Sequence, residues 1–129
     1  MSASIHQEVI VKTNARRIYA ALLTSCQFSA FTGDKPTEID AKAGGAFSCF
    51  GGMISGRIVE LVENRRIVQA WRAGNWPEGV YSIVRFELGQ QGSDTKIIFD
   101  QSGFPPDNRE HLEDGWHKMY WEPLKAYLA

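Results

Sequence analysis

The chemistry open to this chain turns first on its three histidines and two cysteines. A metal site needs several His, Cys or carboxylate ligands converging on one point. His6 stands alone, and His111 and His117 lie six residues apart, where ligands sharing a helix face need three or four. No metal and no cofactor is therefore expected. Cys26 and Cys49 form neither a CxxC redox pair nor a zinc pattern. Among apolar and small neighbours, both are expected to be reduced and buried.

Catalytic groups are equally sparse. There is no Gly-x-Ser-x-Gly elbow, and Gly51-Gly52 lacks the following Lys-Ser/Thr of a phosphate loop. His117, one place past Trp116, could work as an acid–base group at a cavity mouth, but a helix-flank position beside Glu113 is expected. No catalytic residue is assigned, and binding is expected rather than catalysis. The alternative is a hydrolase or cyclase acting on a hydrophobic substrate, which would have to recruit His117, Glu60 or Asp100.

Bulk properties narrow the partners. Fourteen Lys+Arg balance fifteen Asp+Glu, and no basic block occurs, which argues against nucleic acid or an anionic membrane. No run approaches the ~20 apolar residues of a membrane span, and Met1-Ser2-Ala3-Ser4-Ile5-His6 lacks the apolar core of a signal peptide. A cytoplasmic location is expected. The 129 residues fit one domain, 1–129, and with 43% hydrophobic residues can bury a core without disulfides.

The elements that must position these residues follow from periodicity. Glu8 to Lys12 predicts a β-branched first strand. Thr13 or Asn14 then caps a helix with Ile18 and Leu22 on one face, and Ser25 caps a second carrying Phe28 and Phe31, ended by Gly33. Period-two strands follow over 46–50, 54–61, 67–72, 81–88 and 95–101. A two-residue turn at Gly51-Gly52 sets Phe50 against Met53, Cys49 against Ile54 and Phe47 against Gly56. Pro105-Pro106 precedes a capping box at Asp107–Glu110 and a long helix bearing Leu112, Trp116, Met119, Tyr120 and Tyr127. Along it, Glu113/His117 and Asp114/Lys118 are expected to pair. Pro123 should bend or weaken that helix. The expected fold is α+β: a curved antiparallel sheet of six or seven strands wrapped around a long C-terminal helix, with two short helices after strand one.

Such a sheet turns Ser82, Gln101 and Gln69 inward as neutral hydrogen-bonding groups. With Phe47, Ile58, Trp71, Val84, Phe99, Trp116 and Tyr120, Ser82 forms the expected ligand-binding set, an apolar wall with a few polar anchors. A filled core without a cavity is the other reading of these residues. Trp76, in the loop Trp76-Pro77-Glu78-Gly79, is the expected partner-binding residue. Alternatively it folds back over the sheet edge. The chain is expected as a monomer or a homodimer, with Trp76 in the subunit interface if it serves only to oligomerise.

Six segments in order carry a family resemblance: Gly44-Gly45-Ala46-Phe47, Phe50-Gly51-Gly52-Met53-Ile54-Ser55-Gly56, Ile67-Val68-Gln69-Ala70-Trp71-Arg72, Trp76-Pro77-Glu78-Gly79, Gly103-Phe104-Pro105 and Gly115-Trp116. From about Ile5 to the end, the chain resembles an AHSA-type member of the SRPBCC, or START-like, superfamily. Its nearest likeness is the C-terminal domain of the activator of the ninety-kilodalton heat-shock chaperone ATPase. The resemblance implies a helix-grip fold, often enclosing a cavity, and two partners: an apolar small molecule or the heat-shock chaperone. The activators' separate N-terminal domain, with its Asn- and Trp-rich motif, has no counterpart in these 129 residues. Docking is thus expected rather than robust activation.

Overall fold

The computed structural model describes residues 4–129. Met1, Ser2 and Ala3, part of the N-terminus expected to lack a signal peptide, lie outside the described residues. Seven strands form one antiparallel open sheet in the order β1-β7-β6-β5-β4-β3-β2. They are β1 (Ser4–Val11), β2 (Glu38–Ile39), β3 (Ala46–Cys49), β4 (Ile54–Val62), β5 (Arg66–Ala73), β6 (Ser82–Gln91) and β7 (Asp94–Ser102). Helices α1 (Ala15–Leu23) and α2 (Ser25–Phe31) interrupt the sheet after β1. The C-terminal helix runs through α3 (Arg109–Gly115), a π-helical stretch (Trp116–Trp121) and α4 (Glu122–Leu128). This is the helix-grip arrangement. No helix among the described residues is long and apolar enough to cross a membrane.

Alternation decides which strand face is buried. In β1, Ile5, Val9 and Val11 are buried while His6, Glu8 and Ile10 face outward. At the β3–β4 hairpin Cys49 pairs with Ile54 and Phe47 with Gly56, the expected register. Gly51 and Gly52 take φ of 68° and 96°, and the Met53 N–H donates to the Phe50 carbonyl at 3.3 Å. Those are the features of a type I′ turn. Phe50 departs from its expected strand pairing: with φ of 54° it leaves β3 and drops its ring into the core, 5.7 Å from Phe28. β4 bulges between Ile58 and Glu60, which turns Val59 out to solvent.

Several local expectations are corrected. Asn14 does cap α1, accepting from the Arg17 N–H at 2.9 Å. Ser25, by contrast, does not cap α2: its hydroxyl oxygen accepts from the Ile39 N–H at 2.9 Å and ties β2 to that helix. The capping box at Asp107 to Glu110 does not form, because a 3₁₀ turn over Pro106–Asn108 leads into α3 instead. Cys26 is exposed, since α2 turns Phe28 and Phe31 inward, whereas Cys49 is buried. Glu113 pairs with Arg109 at 2.9 Å rather than with His117, while Lys118 and Asp114 pair as expected at 3.0 Å.

Pro123 acts through the turn before it. A proline ring inside a helix clashes with the carbonyl four residues back and offers that carbonyl no N–H. Here the preceding turn widens, and the Glu122 N–H donates to His117, five residues back. The wide turn also lets Trp116, Tyr120 and Trp121 all face the core. A regular helix would carry Trp121 away from the face shared by Trp116 and Tyr120.

Candidate functional site

Between helix and sheet the interior is filled. Trp116 lies 4.2 Å from both Phe99 and Tyr120, ring centre to ring centre, and Phe86 is 5.3 Å from Phe99. The gap bounded by Phe47, Gln69, Phe86 and Tyr120 amounts to only about 10 Å³. Ile58, Ser82, Val84 and Phe99 are almost wholly excluded from solvent. Of the expected ligand-binding set, these four and Phe47 are set in packed core away from any sizeable opening.

Their polar members are engaged with one another. The Ser82 hydroxyl donates to the Trp71 carbonyl at 2.9 Å and accepts from the Gln101 amide at 3.0 Å. The Gln101 carbonyl oxygen accepts from the Trp116 indole N–H at 2.8 Å. This chain fixes the rotamer of Trp116 rather than presenting anchors to a guest. It leaves no buried side-chain polar atom unpaired among the described residues.

On the helix side of the sheet, empty space gathers toward one end of the helix instead. A cleft of about 210 Å³ opens where the β3–β4 turn, the end of β5, the β5–β6 loop and the C-terminal helix meet. Trp71, Trp116 and Tyr120, from the expected set, form its floor together with Phe50. Trp76 forms a side wall. It is only 5% exposed, so the expectation of an exposed anchor is corrected: its ring tilts against Trp71 at 5.7 Å and covers the end of the sheet. The Arg72 guanidinium holds the loop there by donating to the Trp76 carbonyl at 2.8 Å.

The rim carries residues that periodicity did not single out for binding. Met53 is 60% exposed and Met119 44% exposed, on either side of the opening. Lys35, Asn75, Asn108 and His111 supply its polar edge. Met119 sits three places after Trp116, a spacing that reads as core. Only the packing of the wide helical turn shows it at the mouth. Met53 directly follows a glycine turn, where a large apolar residue has no buried partner to expect, and that was the available signal.

The three residues weighed for catalysis are placed elsewhere. His117 and Glu60 are exposed and Asp100 is on the outer sheet face, so none of the three borders the cleft. Burial pushes the Cys49 thiol up to about 12, which keeps it a thiol rather than a nucleophile. Burial likewise raises the Tyr120 phenol well above its ordinary range, leaving a neutral hydroxyl that accepts from the Trp71 indole N–H at 3.5 Å.

Asp100 and Glu60 belong to a ladder of alternating charge across the outer face. It runs Lys96–Glu8 (2.6 Å), Glu8–His6 (2.9 Å), His6–Asp100 (2.7 Å) and Asp100–Arg85 (3.1 Å). It continues Arg85–Glu87 (3.9 Å), Glu87–Arg66 (2.7 Å) and Arg66–Glu60 (3.1 Å). Hydrogen bonding to Asp100, then to Glu8, raises the His6 pKa. Hydrogen bonding to Lys96, then to His6, lowers that of Glu8. Partial burial pushes Asp100 up, but its bonds from His6 and Arg85 outweigh that and leave it lowered.

The His6 contribution to stability is therefore complete below about pH 6.5 and lost as pH rises through its raised folded value. The carboxylate contributions are complete above roughly pH 4.5 and lost as pH falls through their lowered values. His6→Gln should thus lower the melting temperature most near pH 6, with the gap to wild type narrowing toward pH 9. A gap independent of pH would assign the effect to packing.

The comparisons with known proteins agree on one family. The family model described as activator of Hsp90 ATPase homolog 1-like protein matches residues 12–129. The mouse activator of 90 kDa heat shock protein ATPase homolog 2 is 31% identical over 127 residues, covering 98% of this chain and 38% of that protein. Human homolog 1 is 29% identical over 113 residues, covering 88% of this chain and 33% of that protein. The chain thus spans less than two-fifths of these curated relatives. Among solved structures, an HSP90 activator from Plasmodium falciparum superposes with a TM-score of 0.88 at 25% identity, covering 99% of this chain and 96% of that one. A protein from Colwellia psychrerythraea described as an Aha1 dimer superposes with a TM-score of 0.82 at 21% identity, covering 98% and 96%.

Proposed function

We propose, because this chain belongs to the activator of Hsp90 ATPase homolog 1-like family, that it is a co-chaperone-like docking domain. Its partner would be the ninety-kilodalton heat shock chaperone, and its cleft would take an apolar side chain of that partner. The observation that carries the reading is the aromatic cleft flanked by two exposed methionines. Flexible, polarizable thioethers suit a surface that must adapt to a partner. Relatives named as activators of the same ATPase supply the choice of partner.

The test is to add the purified domain to the purified chaperone and record binding and ATPase rate. Met119→Asp should weaken binding about tenfold, as expected for an interface hot spot. Because Met119 is already 44% exposed, the same change should alter stability by no more than about 0.5 kcal/mol. Wild-type protein that neither binds nor changes the rate would remove the chaperone reading. Undiminished binding by Met119→Asp would move the docking place off the cleft.

A second reading, an apolar small ligand held by the same cleft, is supported by its size. An apolar cavity of about 150 Å³ holds benzene, and about 210 Å³ therefore suits a single aromatic or branched aliphatic group. With the interior filled, such a ligand would lie at the end of the helix rather than beneath it.

A further inference from the structure

We infer that the cleft selects an apolar group bearing a carboxylate, with Lys35 as the cation that meets it. The inference rests on the small-ligand reading and specifies the ligand's charge. Lys35 and His111 border the cleft, and no carboxylate does. Lys35 is exposed and, among the described residues, enters none of the ion pairs.

Other cations near this end are committed. The Arg72 guanidinium is held by the Trp76 carbonyl and stands 5.7 Å over the Tyr81 ring. Lys118 is paired with Asp114. Lys35 is the cation left without an acid, at the mouth of an apolar space.

The amides of Asn75 and Asn108 border the same mouth and supply neutral donors for a second oxygen. A guest with its ring on the Trp71 and Trp116 floor would turn its polar end toward this edge. There a carboxylate meets a cation and amide donors, whereas an ammonium meets a like charge. At such an exposed position a cation–carboxylate contact favours the acid over a neutral isostere by up to about fivefold.

The experiment titrates the full chain with 4-phenylbutyrate, 4-phenylbutanol and 4-phenylbutylamine, following tryptophan fluorescence and backbone amide NMR shifts. The butyrate should bind more tightly than the alcohol, by up to about fivefold, and the amine most weakly. Lys35→Met should abolish the difference between butyrate and alcohol. Equal binding of butyrate and alcohol by wild type overturns the carboxylate preference and leaves the small-ligand reading standing. A preference that survives Lys35→Met overturns the role of Lys35. Failure of all three probes to bind overturns the small-ligand reading and this inference with it.

Discussion

Replacing Trp116 with alanine is expected to destabilise the domain by about 3–5 kcal/mol, as deletion of a buried indole generally does. Five aromatic neighbours lose contact at once, among them Phe86 at 6.0 Å. Phe99 and Tyr120 lie at 4.2 Å, Trp71 at 5.3 Å and Trp121 at 5.8 Å from its ring. Its indole N–H also satisfies the buried Gln101 oxygen, and an acceptor left unpaired in the core costs about 1–3 kcal/mol. Against a typical domain stability of about 5–15 kcal/mol, such a loss brings unfolding within reach of mild heating. Urea denaturation followed by circular dichroism would measure it. A cost below about 1.5 kcal/mol would show that the neighbours collapse into the space, and that the interior is less tightly packed than described. Trp116→Phe helps to separate the two contributions, since it removes the hydrogen bond but keeps most of the ring contacts.

The second large effect is expected at Gly56. A methyl group there would stand 1.8 Å from the Ala70 carbonyl oxygen and 2.9 Å from the Phe47 ring. Phe47 could swing aside, but the carbonyl belongs to the neighbouring strand, where Gly56 pairs with Trp71. The sheet itself would have to shift. Gly56→Ala should therefore cost about 3 kcal/mol or more, at the upper end for overpacking. Trimming the ring in a Phe47→Leu background should not recover it. Recovery in that double variant, read as the midpoint of thermal unfolding, would mean that the side chain rather than the backbone sets the limit.

How far the sequence reached depended on the range of the interactions involved. The hairpin at Gly51-Gly52 was legible because turn chemistry and alternation are local, and both required Phe47 opposite Gly56. The inward set was legible for the same reason. The Ser25 cap failed because a distant segment competed for the same atom: its oxygen accepts from the N–H of Ile39, fourteen residues on. Trp76 shows the limit most clearly. A Pro-Gly loop around an indole reads either as an exposed anchor or as a cover for the sheet edge, and only the Trp71 ring beneath it decides between them. The cleft was illegible because empty space has no periodicity. It exists where five segments, the α2–β2 loop with Lys35 included, come near one another, and none of them marks that place alone. The effect of Pro123 was expected in kind but not in form, since a bend and a widened turn relieve the same clash.

The order of the sheet also bears on how the chain reaches its native state. Strands β3 to β7 close by short turns, so each can pair with its predecessor as soon as both exist. β1 cannot. Among the described residues its only partner is β7, with Ser4 set against Ser102. During synthesis, β1 therefore emerges first and is among the last strands to pair, so loop-closure entropy must be overcome across nearly the whole chain. Until β7 arrives, Val9 and Val11 have no sheet to cover them, and the free strand is exposed to association with other chains. The time this segment spends unpaired is consequently set by the arrival of the last strand rather than by any property of its own residues.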